Sequence, residues 1–397
     1  MTTILCIASY EKGADFLRAC RQRGCHTILL TVESLKDADW PRDAIDAFYY
    51  VSSFGEREAL LNAVSYLARS SRLDRIVPLD EFDLETAALL REHLRIPGMG
   101  ETTVRRFRDK LAMRQAAAEA GVAVPPFTPV FNDQEVRDWT AEVEPPWMIK
   151  PRTDAASIGI LKVDRTEDVF EALEAMGDRR SRCLLEKYVP GDVYHVDAIA
   201  DGERVLFAAA HRYASPPFDV AHGGGLFSSR TLERGSDEER ELLEANLAVV
   251  AALRMVRGVL HTEFIRSRAD QRFVFLETAA RVGGANIVEM VEAATGINLW
   301  REWARLEVAH ARGEPYRLPE QRSEYAAVLI SLARQEWPET AAYNDPEIVW
   351  RMNKRHHAGL IVRSPDANRV KLLLDAYMPR FRDDFMAVLP APDRPTA

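Results

Sequence analysis

Apolar residues follow two different periods along the first hundred positions. Short unbroken runs, "ILCIAS", "HTILLTV" and "DRIVPLD", read as buried strands. Between them "GADFLRACRQRG", "EREALLNAVSYLARS" and "LETAALLREHL" carry apolar residues at helical spacing. Strand and helix in alternation predict a parallel sheet with helices on its faces over residues 1–95. Ligands of such sheets sit beyond the carboxyl ends of the strands, where Asp80 and Glu81 stand, so Glu81 is a candidate substrate contact.

After the turn "RIPGMG" the pattern changes. "TTVRRFRDKLAMRQAAAEAG" predicts one helix ending at Gly121. The strand "PWMIKPR", the small-residue loop "TDAASIG" and the strand "ILKVD" follow, then the helix "TEDVFEALEAMG" and the strand "CLLEKYV". "VYHVDAIADGERVLFAAAHR" predicts a hairpin turning at Asp201 and Gly202. "SPPFDVAHGGGLFSS" reads as a mobile loop, and "SDEERELLEANLAVVAALRM" as an amphipathic helix with an acidic first turn. Past residue 310, "YAAVLISLA", "HHAGLIVRS" and "DANRVKLLLDAYMPRF" predict a small α+β module packed on what precedes it. His356 and His357, adjacent on a strand, would point to opposite faces and share no ion.

The sharpest geometry lies in "GVLHTEFIRSRADQRFVFLET", two apolar strands around a polar turn at 267–271. A turn centred near Asp270 pairs residues whose numbers add to 540, which sets Glu263 opposite Glu277 on one face. Two carboxylates ~4.5–5.5 Å apart at Cβ repel and need a cation between them. Magnesium, an oxygen-seeking ion, is one candidate; an ion pair with Arg266 or Arg281 is the other.

Composition narrows the partners. At 397 residues the chain exceeds one ordinary core and predicts two or three domains. Acidic residues outnumber basic ones 61 to 52 with no basic block, so no nucleic-acid partner is expected. No apolar run reaches the ~18 residues that span a bilayer, so no membrane partner is expected either. The start "MTTILCIASY" lacks a charged leader and a small-residue cleavage site. Cys6, Cys20, Cys25 and Cys183, without metal-ligand spacing, read as free thiols of a reducing cytoplasm.

Taken in order, Lys110 in "FRDKLAMRQAAAEAGVAVP", Lys150 in "WMIKPRTDAASIGI", "LLEKYVPGDVYHVD", Glu263, Glu277 and Arg281 resemble the ATP-grasp superfamily over residues 1–310. The resemblance implies an α/β and α+β fold: a Rossmann-like domain over 1–95, a two-lobed nucleotide-binding and catalytic domain over 96–310 with a mobile lid lobe at 123–187, and the α+β module over 311–397. It implies Lys110 and Lys150 on the α- and β-phosphates of ATP as point charges. Ser157 would lie in the phosphate-cradling loop, and Glu186, Lys187, Tyr188 and Val189 in the hinge that reads adenine through its backbone. His195 would stand by the ribose or adenine, or else be an ordinary half-exposed strand histidine.

Glu263 and Glu277 would hold Mg2+, with Mn2+ able to replace it, and Arg281 would steady the substrate carboxylate and its acyl-phosphate. Gly283 and Gly284 would keep the backbone low for substrate, with His222 in the glycine-rich loop and Glu81 completing the pocket. Ala279 stands where the commoner family pattern has a metal-binding asparagine, and "HTE…ETAAR" is similar to the L-amino-acid ligase branch. The implied activity is an ATP-dependent carboxylate–amine ligase forming a dipeptide-like amide through an acyl-phosphate, with ADP and phosphate released. Its partners would be small carboxylate and amine substrates, amino acids foremost, and a homodimer is compatible with it. The alternative within the fold is a bicarbonate-phosphorylating carboxylase such as biotin carboxylase, which "EKYV" and His195 resemble. A non-enzymatic nucleotide-binding module would predict loss of Glu263, Glu277 or Arg281, and all three are present.

Overall fold

A computed structural model of the chain describes residues 1–154, 158–218, 220 and 225–387. β1 (Thr3–Ala8), β2 (His26–Val32), β3 (Ala47–Val51) and β4 (Arg75–Pro78) pair in the order β3-β2-β1-β4, every neighbour parallel. β1 is buried along its whole length, as a strand with helices on both faces must be. β3, "AFYYV", was not read from the sequence; it is an edge strand whose residues are at most partly buried.

β5 (Phe127–Pro129), β6 (Trp147–Pro151), β7 (Leu161–Val163) and β8 (Cys183–Lys187) form an antiparallel sheet in the order β5-β8-β6-β7. The helices Asp133–Glu142 and Thr166–Met176 cover one face through Val136, Val169 and Leu173 against Trp147, Ile149 and Leu185.

The largest sheet is antiparallel and eight-stranded. β9 (Gly191–Asp201), β10 (Arg204–Tyr213), β11 (Phe227–Thr231), β12 (Arg257–Ser267), β13 (Phe273–Ala279), β14 (Tyr325–Leu332), β15 (Ile348–Arg351) and β16 (His357–Ser364) run in the order β13-β12-β9-β10-β11-β14-β16-β15. The segment after residue 310 is therefore hydrogen-bonded into this sheet through β14 on β11, besides being packed on it. The hairpin turn at Asp201 and Gly202 is present, with Gly202 at φ 63°.

One core joins the first sheet to the largest. Phe16 and Leu17 of the helix Ala14–Gln22 pack with Trp303 and Leu306 of the helix Leu299–Arg312, the Phe16 and Trp303 rings 5.3 Å apart. That packing sets the carboxyl end of β4 over the β12–β13 hairpin, where Glu81 meets Arg281.

Three local expectations need correction. The helix predicted over 102–121 is broken: Glu101–Val104 and a 3-10 turn at Arg105–Phe107 end at Arg108, and a new helix starts at Lys110. Asp109 is the cause. Its extended backbone and its carboxylate, which accepts the N–H of Leu111 at 3.0 Å and of Ala112 at 3.4 Å, make it an N-cap. In "SPPFDVAHGGGLFSS" the last three residues belong to β11, while 219 and 221–224 lie outside the described residues. His356 sits in a turn at φ 57°, so only His357 is on a strand.

Asp83 carries a testable consequence of this packing. It is 1% exposed, accepts the Ser9 N–H at 3.0 Å, and leaves Oδ1 without a hydrogen-bond partner among the described residues. Burial pushes its carboxyl from 3.8 up to about 7. The folded protein therefore holds this proton more tightly than the unfolded chain, and stability present below pH 3.8 is lost as pH rises to about 7. Asp83→Asn keeps the acceptor and removes the titration. Its melting temperature should exceed wild type by several degrees at pH 8 and match it near pH 4; an equal shift at both would refute a buried, uncompensated charge.

Candidate active site

Two cavities meet at the β12–β13 hairpin and share Lys110, Asp154, Pro217, Glu263 and Glu277. Glu263 stands opposite Glu277, as alternation from the turn predicted. The register reaches that pair through an irregularity. Nearer the turn Phe264 faces Phe275, so Leu276 is an extra residue on β13. Without that bulge Glu277 would point to the far face; with it, Leu276 and Glu277 both line the first cavity.

The first cavity lies between the β5–β8 sheet and the largest sheet. Its charged lining is Lys110, Arg114, Lys150 and Lys187 against Asp154, Glu186, Glu263 and Glu277. Lys150 on β6 bonds Glu186 on β8, and Arg114 reaches the other carboxylate oxygen at 3.0 and 3.1 Å. Burial pushes the Glu186 carboxyl up, but Arg114 and Lys150 outweigh it and hold it below its ordinary value. Arg114 was not singled out in sequence, although it follows Lys110 by four residues and so shares its helix face.

Lys110, the first residue of its helix, bonds Glu277 at 2.9 Å and the Asp154 carbonyl at 2.7 Å. Burial raises Glu277, and Lys110 more than reverses this, to about 2. Glu186, Lys187, Tyr188 and Val189 all line this cavity. The N–H groups of Lys187 and Tyr188 are already given to Pro126 O at 2.8 Å and Pro146 O at 3.0 Å, so neither is left to donate to a ligand. Ser157 and His222 lie outside the described residues.

The second cavity lies between the hairpin and the first sheet, with Glu81, Arg108, Tyr213, His261, Arg281 and Gly284 on its wall. Arg281 Nε donates to Glu81 at 2.8 Å and its Nη1 to the Val282 carbonyl at 3.0 Å. Tyr213 donates to Glu263 Oε1 at 2.9 Å, and His261 Nε2 stands 3.4 Å from the same oxygen. Among the described residues, Oε2 of Glu263 and Oε1 of Glu277 keep no protein partner. Opposed carboxylates with free oxygens suit a hard, oxygen-seeking cation such as magnesium.

His195 is not the half-exposed strand residue that was one of its two expected readings. It is fully buried and lines neither cavity. Its ring lies 4.5 Å from that of Tyr213, and it bonds Asp197 and Ser229 at 2.7 Å each. Asp197 also takes His261 Nδ1 at 2.9 Å, with His211 Nδ1 3.4 Å away. Burial drives the His195 imidazole down to about 3, whereas at His261 the charge of Asp197 outweighs burial and lifts it to about 9. The ligand atoms of His195, Asp197 and His261 lie within 4.8 Å of one another, but both imidazoles are already bonded to the carboxylate. Asp197 therefore acts as a hub that orients His261 toward Glu263. Gly283 serves the same hub: a Cβ there would stand 2.8 Å from Asp197 Oδ1 and 3.0 Å from His261 Nδ1. Only Gly284 of the glycine pair faces the cavity.

Residues 143–289 match the family described as an ATP-grasp domain. The chain is 26% identical over 271 residues to an L-arginine-specific L-amino acid ligase of Bacillus subtilis, a match spanning 66% of this chain and 64% of that protein. Its fold is that of an L-amino acid ligase from Bacillus licheniformis, with a TM-score of 0.77 at 16% identity over 98% of both chains. A biotin carboxylase–β,γ-ATP complex from Campylobacter jejuni is also similar, with a TM-score of 0.69 at 18% identity over 97% of this chain and 91% of that one. The expected fold class is thereby borne out. Among the described residues no helix is long and apolar enough to cross a membrane.

The hub predicts a stability effect. Asp197→Asn removes a buried charge from its imidazole partners and should cost about 3–5 kcal/mol in a denaturant titration. A loss under about 1 kcal/mol would mean that the carboxylate does not hold the cluster.

Proposed function

We propose that this chain, whose residues 143–289 match the family described as an ATP-grasp domain, is an ATP-dependent carboxylate–amine ligase. It would join amino acids through an acyl-phosphate and release ADP and phosphate. The observation that carries the reading is the position of Glu263 and Glu277, opposed on a wall common to a lysine- and arginine-lined cavity and to one built on two guanidiniums.

A carboxylate resists amines because its own charge repels them. Phosphorylation removes that obstacle: a carboxylate oxygen attacks the γ-phosphorus, the bond to ADP breaks, and the amine then displaces phosphate from the acyl carbon. Little covalent help is required, so positioning and charge do most of the catalysis. Magnesium held by Glu263 and Glu277 would supply positive charge where the polyphosphate is densest. Lys110 and Lys150 meet ATP oxygens as point charges, and Arg114 shares the single Glu186 carboxylate with Lys150, so one positive charge is left over for the polyphosphate. Arg281, fixed by Glu81, offers its remaining N–H groups to the carboxylate and to the acyl-phosphate it becomes. Its guanidinium is held fully charged by Glu81 against the opposing effect of burial. Tyr213 and His261 hold Glu263 in place from the other side. Excluding water from the intermediate falls to the β5–β8 sheet, together with Pro216, Pro217 and Phe218.

The match spans 64% of the arginine-specific ligase, so that protein's substrate is not carried over to this chain. A bicarbonate-phosphorylating carboxylase has only a fold likeness at 18% identity behind it. The test is a screen of paired amino acids with ATP and magnesium, reading nucleotide, phosphate and amide by mass spectrometry. The expected result is ADP and phosphate in step with an amide, and Glu277→Gln slower by about 10²-fold or more. AMP with pyrophosphate, or ADP release that requires bicarbonate and gives no amide, would sink the reading.

A further inference from the structure

An arginine cluster lies at the end of the first sheet away from Glu81. Arg75 opens β4 and Arg257 opens β12, and the two meet across one carboxylate. Arg257 donates from Nε and Nη2 to Glu307 Oε2 at 3.2 and 3.1 Å, and Arg75 Nε stands 3.5 Å from the same oxygen. Arg75, Arg91 and Glu307 are 8%, 7% and 5% exposed, and the Arg257 side chain is 9% exposed. Arg75 donates Nη1 to the Asp74 carbonyl at 2.6 Å, while its Nε is buried without a hydrogen-bond partner among the described residues. Arg91, from the helix Leu84–Leu94, reaches the Ile76 carbonyl at 2.6 and 2.8 Å and the Met99 carbonyl at 3.4 Å. Its bonds go to carbonyls, and among the described residues it forms no ion pair with an acid.

The other acids nearby do not close the balance. Asp74 takes the Thr3 N–H at 2.9 Å and pairs with Arg72 at 3.3 Å. Asp201, opposite Arg257 in the β9–β12 register, pairs with His310 at 3.0 Å and Arg204 at 3.6 Å. Glu307 is thus left against Arg75, Arg91 and Arg257, one negative charge for three positive ones. Burial lowers the Arg91 guanidinium to about 10, with Arg257 and Arg75 adding to the effect and Glu307 opposing it. Desolvated cations with an unused donor are costly unless an anion arrives to meet them. A guanidinium fork matches the oxygens of a phosphate, and a surplus of two charges suits a dianion better than a carboxylate. We infer that Arg75 and Arg257 bind a phosphate-class dianion, inorganic phosphate or a phosphomonoester, between the first sheet and the largest one. Arg75 supplies the unused Nε, Arg257 closes from β12, and Arg91 keeps positive charge behind them. None of these residues lines either catalytic cavity, so the site is a separate one. An anion held there joins β4 to β12 at the end remote from the Glu81–Arg281 pair, and so braces the two bodies that share the catalytic cleft. The inference does not depend on the ligase reading.

The test is a thermal-shift titration with inorganic phosphate, glycerol phosphate and chloride at equal ionic strength. A saturating non-hydrolysable ATP analogue with magnesium is present throughout, so that the catalytic cleft is already filled. Phosphate or its ester should raise the wild-type melting temperature by several degrees beyond chloride, because a ligand of the folded state alone stabilises it. The larger rise of the two identifies free ion or ester as the better ligand. Arg75→Gln should lose the rise and keep the full shift caused by the ATP analogue, and Arg75→Lys should keep part of the rise. No rise beyond chloride with either compound, or an equal rise in wild type and Arg75→Gln, overturns the inference. Should Arg75→Gln fail to fold, crystals of the wild-type protein grown with selenate decide the matter. Anomalous density within about 3 Å of Arg75 Nε supports the site, and density elsewhere only, or none, overturns it.

Discussion

Glu263 and Glu277 face one another across two hydrogen-bonded strands, and like charges at that spacing oppose folding unless cations lie close by. Lys110 meets Glu277 from the start of a helix, and the Tyr213 hydroxyl and the His261 ring meet Glu263 from β10 and β12. Among the described residues the repulsion is thus only partly relieved, and one oxygen of each acid has no protein partner. Strain left in this way favours a divalent cation without any further ligand from Ala279, where an asparagine could have added one.

The same constraint organises the parts farther off. Asp109 stops one helix and caps the next, which places Lys110 against Glu277 and Arg108 against Glu81 on opposite sides of the cap. Glu81 comes from the first sheet and Arg281 from the loop after β13, so their ion pair ties the two bodies together at the site itself. Beneath the hairpin Asp197 gathers three imidazoles, and Gly283 leaves room for that contact. Glu81, Asp109, Asp197 and its three imidazoles are buried, where an unpaired charge costs most, so their pairing is tightly determined.

Much of this was legible from residue order alone. Period-two alternation and a polar turn are local, and they named the pair Glu263 and Glu277, but the register at the turn runs one residue short of that pair, and the bulge at Leu276 that restores it has no plain sequence mark. Lys110 and Lys150, singled out from the family resemblance, both lie on the first cavity's wall. Arg114 was readable from its spacing to Lys110, and Arg108 was obscured by taking "TTVRRFRDKLAMRQ" as one helix when Asp109 already offered a cap. His195 was misjudged because alternation gives the face of a strand and not the depth over it; the ring of Tyr213, from the next strand, covers that position. Gly283 depends on Asp197, a contact between distant parts of the chain that no local pattern announces.

The central claim is that a carboxylate oxygen attacks the γ-phosphorus of ATP before the amine arrives. It is tested most directly by supplying the active carboxylic acid labelled with oxygen-18 in its carboxylate and examining the phosphate released on amide formation. Transfer through an acyl-phosphate carries one labelled oxygen from the acid into each phosphate, with the other label kept in the amide carbonyl. Phosphate free of label, with amide still formed, would contradict the account.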